Sequence, residues 1–284
     1  MKKISLFIIF FYFLFNANAQ LSAVDYKSDK YNSFKASKTY LVLTGDSKFD
    51  SEIQNAVKDL WKVTPYEIIV KEEDFKSKIQ DPSASFILLI TIGTQHAQQN
   101  YHYLALINGG KKNISKYSYD DMLAYCPINH FQNESKNTDC AYRVRNMIES
   151  MVLSMDIIQK NDIRGNSKNI ADSLREYYNK RSKKIKDRVL LFCDETLGNK
   201  ITKSDIAGIY PYKFEICNRE KIEQVIKEKS TQYYYYQPGI TLNKSMFVFD
   251  PSNGEVLYFD FQIMGLNINT KNLEDLANTV KGKK

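Results

Sequence analysis

Two short acidic phrases, KEEDF at 71–75 and CDET at 193–196, set carboxylates directly after apolar runs. Open α/β sheets bind ligands beyond the carboxyl ends of their strands. Two carboxyl groups held roughly 5–10 Å apart at such a place can share acid and base roles in glycoside hydrolysis. Glu72, Glu73, Asp194 and Glu195 are the residues a hydrolase needs here. The same acids also suit the first turn of a helix, where they satisfy free amides and offset the helix dipole without doing chemistry. Asp46 and Asp194 stand at equivalent places after two apolar runs and fit that capping role. Of the three histidines, His96 and His102 flank one predicted strand connection and His130 lies in a polar loop. No HExxH, paired-Cys spacing, GxSxG or glycine-rich phosphate loop accompanies them, so no metal site and no cofactor is expected.

The aromatic and sulfur residues point elsewhere. Tyr233, Tyr234, Tyr235 and Tyr236 run consecutively in a chain of 20 tyrosines. Alternate residues of a strand face opposite sides, so two enter a core and two face outward. Outward tyrosines offer contact area with a polar handle for a protein, peptide or glycan. An ordinary tyrosine-rich strand covered by another element has the same sequence. The four cysteines, Cys126, Cys140, Cys193 and Cys217, allow three connectivities in an oxidising compartment. Cys126–Cys140 and Cys193–Cys217 are the most economical, the first closing a polar loop and the second joining two strands.

These residues sit on elements that occur twice. KTYLVLTGD (38–46) faces DRVLLFCDE (187–195), and TPYEIIVKEEDF (64–75) faces YPYKFEICNREK (210–221). Between them lie helix candidates, DSEIQNAVKDLW with Asp50 or Ser51 as N-cap, and the shorter TKSDIAGIY. A second helix follows in each copy, then SFILLITIG against TQYYYYQPG, then a hairpin signal at Asn108-Gly109 and at Asn253-Gly254. The predicted fold is α/β: two similar β-α-β-α-β-β-β halves, an internal duplication, with mixed sheets bridged by long helices. A half of this size buries only about 60% of its unfolded surface, so two copies gain by sharing a core. The bridge contains CAYRVRNMIESMVLSMDIIQK (140–160), whose Val144, Met147, Ile148, Met151, Val152, Met155 and Ile158 form one apolar face. The charged segment 169–187 follows, and NLEDLANTV (272–280) is a last short helix.

The ends and the charge bound the setting. Lys2 and Lys3, an apolar core from Ile4 to Phe15 and the small residues Ala17 and Ala19 read as a signal peptide cleaved after Ala19. The expected organisation is signal peptide 1–19, N-terminal extension 20–37, first half 38–120, loop and bridging helices 121–186, and second half 187–284. The chain is expected to be exported by a bacterium to the periplasm or beyond, with no membrane span after cleavage. A net charge of +7 is spread thinly apart from NKRSKKIKDR at 179–188, which reads as a solvated face. Nucleic acid is not an expected partner.

The stretch PYKFEICNREKIEQVIKE, through Arg219, Glu220 and Ile222, resembles the curli-secretion (CsgG) and TolB N-terminal type of envelope domain. There a strand ending near Glu-Arg leads into a helix and another strand. The resemblance implies a compact α/β module used for binding and assembly, without catalysis. The leading expectation is therefore an exported, non-enzymatic module for an envelope or secreted protein partner. The alternatives are a secreted hydrolase at the acidic strand ends and a glycan-binding protein using the four tyrosines.

Overall fold

The structure, a computed structural model, describes residues 22–94, 99–128, 140–197, 201–240, 243–263 and 268–283. The expected signal peptide lies outside them. The first unit begins with β1 (Ser22–Ala23) and α1 (Asp29–Lys35), which Ser28 caps by accepting from the Tyr31 amide. Then come β2 (Lys38–Val42), α2 (Ser47–Leu60), β3 (Tyr66–Ile69), α3 (Glu72–Lys78), β4 (Ala84–Thr94), β5 (Gln99–Asn108) and β6 (Met122–Pro127). α4 (Val144–Lys160) enters through a 3-10 turn at Ala141–Arg143, and α5 (Ser167–Asn179) leads to a second one at Ser182–Asp187. The second unit runs β7 (Val189–Cys193), α6 (Asp194–Leu197), α7 (Lys203–Ile209), β8 (Phe214–Cys217), α8 (Arg219–Lys227), β9 (Tyr233–Ile240), β10 (Asn243–Phe249), β11 (Val256–Ile263) and α9 (Thr270–Lys281).

One sheet has the order β1-β6-β5-β4-β2-β3 and the other β11-β10-β9-β7-β8. Apart from β1, the two orders superimpose strand for strand. In each, two parallel crossovers are followed by antiparallel strands. α4 trails the first sheet as α9 trails the second. The duplicated α/β arrangement is thus present, and it extends further than the sequence phrases.

One cap is resolved and two boundaries differ from expectation. Of the two readings the sequence offers for this cap, Asp46 rather than Asp50 or Ser51 caps α2, by accepting from the Phe49 amide at 2.9 Å. Asp50 instead folds back onto the Thr44 and Gly45 amides, both at 2.8 Å, bracing the strand end. The segment after Asn108-Gly109 is not a tight hairpin. It makes two short 3-10 turns, and the third antiparallel strand waits until Met122, beyond the expected limit at 120. A Cβ at Gly109 would fall 2.2 Å from the Asp81 carbonyl, so the chain here is pressed onto the loop before β4 and cannot turn back at once. Of the residues read as an extension, 20–37, the described ones from Ser22 on belong to the first unit, where Tyr31 and Phe34 enter the core.

Right-handed crossovers that step to opposite sides of β2 put α2 and α3 on opposite faces of the first sheet. The same holds for α7 and α8 on the second. The central core gathers α2 (Phe49, Ile53, Val57), α4 and α5 with α8 (Ile222, Val225, Ile226). α3 covers the far side of the first sheet, with Phe75 edge-on to Phe86 at 5.4 Å. α7 and α9 cover the far side of the second. The first crossover helix therefore faces inward in one unit and outward in the other. The halves stack head to tail and are not related by a two-fold axis.

Candidate functional site

The most specific polar contacts lie where α4 meets the second sheet. The turn at residues 250–254 docks on the first half of α4. Ser150 Oγ donates to the Gly254 carbonyl at 2.5 Å, and Asn146 Nδ2 donates to Glu149 Oε2 at 2.6 Å and to the Pro251 carbonyl at 3.4 Å. Tyr235 OH donates to Asn146 Oδ1 at 3.1 Å. Gly254 has φ +70°, and a Cβ there would sit 2.4 Å from Glu149 Cβ, so only glycine fits the approach. Further along the seam, a Cβ at Gly239 of β9 would lie 2.6 Å from Pro127 of β6, so the two sheets touch directly. Glu149 is 8% exposed, and burial pushes its carboxyl above the usual range, against the opposing pull of Asn146 and Arg145. Arg145 also binds Asp59 of α2 at 2.9 Å. The sequence carries a trace of this surface. Asn146, Ser150 and Ser154 recur every four residues with no Lys or Arg among them, which marks a polar stripe meant for burial.

Beside it, the 3-10 turn before α4 brings Tyr142 and Arg143 against the carboxyl ends of β7 and β8. Arg143 is buried, and its Nη2 donates to the Ile128 carbonyl at 2.6 Å. Arg219, the first residue of α8, holds Glu195 with Nε at 3.0 Å and lies 5.5 Å from the Tyr142 ring. Lys48 of α2 pairs with Glu223 of α8 at 3.1 Å across the same seam. Cys126, Cys140 and Cys193 are all buried in this central core, with Cys217 packed against it. No disulfide joins any two of the four in the structure. β7 and β8 pair in parallel with Cys193 opposite Cys217.

The sequence-predicted sites separate. Tyr234, Tyr235 and Tyr236 are 4%, 1% and 1% exposed, and Tyr233 is half-buried beneath Lys221. The alternation holds, but helices cover both faces of the second sheet. Tyr234 and Tyr236 enter the outer core and Tyr233 and Tyr235 the central one, so they do not form an outward recognition surface. Glu72 and Glu73 lie in the exposed first turn of α3, on the first sheet, while Asp194 and Glu195 open α6 on the second. Glu72 is paired with Lys76 at 2.7 Å, which holds its carboxyl below the usual range, opposite to what a general acid needs. Glu195 is committed to Arg219. His102 Nδ1 lies 2.8 Å from Thr91 Oγ1, and burial lowers its pKa. His96 and His130 lie outside the described residues.

Two clefts were candidates for a small ligand. One of about 290 Å³ lies between α4, α5 and the 250–254 turn, and one of about 780 Å³ between α5 and the end of α9. In the first, Lys160 pairs with Asp156 at 2.7 Å and Arg181 with Glu255 at 2.9 Å. In the second, Arg175 pairs with Asp172 at 3.1 Å and Lys180 with Glu176 at 2.7 Å. The charges in these pairs neutralise one another, while Lys183 also lines the second cleft. Among the described residues no group of His, Cys, Asp and Glu could hold a metal ion, and no helix is long and apolar enough to cross a membrane.

Among the edge strands, β3 is the one that carries, in it and directly after it, exposed large apolar side chains within the described residues. β3 pairs on one side only, with β2. Ile68 within it is 39% exposed and Val70, directly after its last residue, is 74% exposed, and these are the exposed large hydrophobic side chains among the described residues. The register of the second half puts Ile216 and Asn218 at the matching places. Ile216 packs on the outer core, and Asn218 caps α8 by accepting from the Lys221 amide at 3.1 Å. The first half exposes a valine there, and Lys71, the N-cap residue of α3, makes no side-chain cap. Comparison with models of known protein families, with curated proteins and with solved structures finds no match.

Proposed function

We propose that this chain is an exported, non-enzymatic bacterial envelope or secreted module that binds or assembles with a protein partner at the open edge of β3. The carrying observation is the pair Ile68 and Val70, held in water beside an unpaired strand edge. An open edge offers a row of free amides and carbonyls, and an extended segment adds to it as one more strand, its apolar side chains seated on those two residues. The resemblance to the CsgG and TolB N-terminal type of domain supports the same reading, with Arg219, Glu220 and Ile222 at the strand-to-helix step between β8 and α8.

The test compares tagged wild-type protein, expressed in the native host, with the double variant Ile68→Asp, Val70→Asp. Val70 is 74% exposed and Ile68 39%, so the variant is first shown to be folded by its far-UV circular dichroism and a cooperative melt. A stoichiometric envelope or secreted partner held by wild type and lost from the variant is the expected result. Equal retention by both, or none by the wild type, removes the proposal.

A further inference from the structure

We infer that Cys193 and Cys217 form a disulfide that staples the edge strand β8 to β7 at the seam between the halves. The two residues are the last register pair of a parallel ladder. Residues opposite one another on neighbouring strands point to the same face, and both thiols belong to the central core. Neighbouring strands lie about 4.8 Å apart, within the 4.4–6.8 Å between Cα atoms that a disulfide spans. The matching ladder of the first half ends in Val42 opposite Ile69, so a plain apolar pair suffices for the sheet itself. The cysteines occur in the half where this corner carries more. β8 is an edge strand of four residues, and directly after it Arg219 holds Glu195 and approaches Tyr142 of the first half. Fixing Cys217 fixes the start of α8, and α8 forms part of the wall between the halves.

Burial pushes the Cys193 thiol up to about 11 and the Cys217 thiol up to about 12, so neither is an activated nucleophile once folded. That character fits a structural bond made during folding. Oxidation needs a disulfide-bearing oxidant, such as oxidised glutathione or a protein disulfide oxidant. The thiolate of Cys217, the less buried of the two, attacks the oxidant's disulfide, forming a mixed disulfide and expelling one thiolate. The Cys193 thiolate then attacks Sγ of Cys217 in that mixed disulfide. The Cys193–Cys217 bond forms and the second oxidant thiolate leaves. The protein gives up two electrons and two protons, and the oxidant is reduced to two thiols.

The experiment is non-reducing peptide mapping of the whole chain after folding with reduced and oxidised glutathione, paired with thermal melts. The comparison variant carries the first half's residues, Cys193→Val with Cys217→Ile, which keeps an apolar pair at the site. A linked peptide joining Cys193 to Cys217 is expected, whatever the state of Cys126 and Cys140. The oxidised wild type should melt roughly 5–10 °C above the oxidised variant, and a reductant should close that gap. Cys193 and Cys217 found free, or linked to other cysteines, overturns the inference. So does a gap that reductant leaves unchanged.

Discussion

Glu149 carries a charge where charge is least welcome. It lies on α4 under the 250–254 turn, and burial raises its carboxyl above the ordinary value of 4.5. A carboxyl whose folded pKa exceeds its unfolded one binds more protons in the native state between the two values. Stability therefore falls as pH rises from about 4.5 through the folded value, and stays lowered above it. Glu149→Gln keeps an acceptor for Asn146 Nδ2 and removes the buried charge. Urea unfolding between pH 4 and 8 should show the variant gaining on the wild type as pH rises through that window. A constant difference between the two across the range would contradict this assignment. Asn146, Ser150 and Gly254 are residue-scale features of the same kind, because each role comes from the partner that the other half supplies.

At the scale of elements, local chemistry explains why strands and helices begin where they do. Thr202 and Asp205 form a reciprocal cap on α7, with the Asp205 amide 3.2 Å from Thr202 Oγ1 and the Thr202 amide 2.8 Å from Asp205 Oδ2. That cap offsets Gly208 inside a seven-residue helix. Thr202→Ala should cost about 1 kcal/mol, read as a lower urea midpoint with an unchanged slope. A loss near zero would mean that packing of Ile206 alone holds α7. Most elements were legible because their periodicity and caps are local. The apolar runs of β2 and β7, the face of α4 and the Asn253-Gly254 turn all stand where the sequence put them. The position of β6 was not legible. Its delay to Met122 follows from Gly109 packing on the Asp81 loop, a contact between segments that share no local signal.

At the scale of the molecule, the two halves share one central core, and burial that neither half can keep alone predicts one folding unit. Trp61, buried in that core from the first half, reports on it by fluorescence, and far-UV circular dichroism reports on both sheets. The two signals should unfold in a single coincident urea transition. Two separate transitions would show that the seam contributes little and that each half is stable alone. Head-to-tail stacking has a further consequence. A two-fold pair buries the same face of each copy, whereas this arrangement buries different faces and leaves the two units with different surroundings. The edge at β3 and the edge at β8 have thereby diverged, one bearing exposed Ile68 and Val70 and the other a cysteine and a capping asparagine.

The sequence by itself determined the α/β class, the doubled order of elements and the alternation of the four tyrosines, because strand and helix periodicities and turn residues act over a few positions. Tertiary structure decided which faces are wet. The same alternation that sends Tyr234 and Tyr236 away from Tyr233 and Tyr235 would expose one pair on a sheet covered once, and buries them here because helices lie on both sides. It likewise separated Glu72 and Glu73 from Asp194 and Glu195. Burial and juxtaposition depend on how two distant sheets stack, and no local pattern in a chain encodes that stacking.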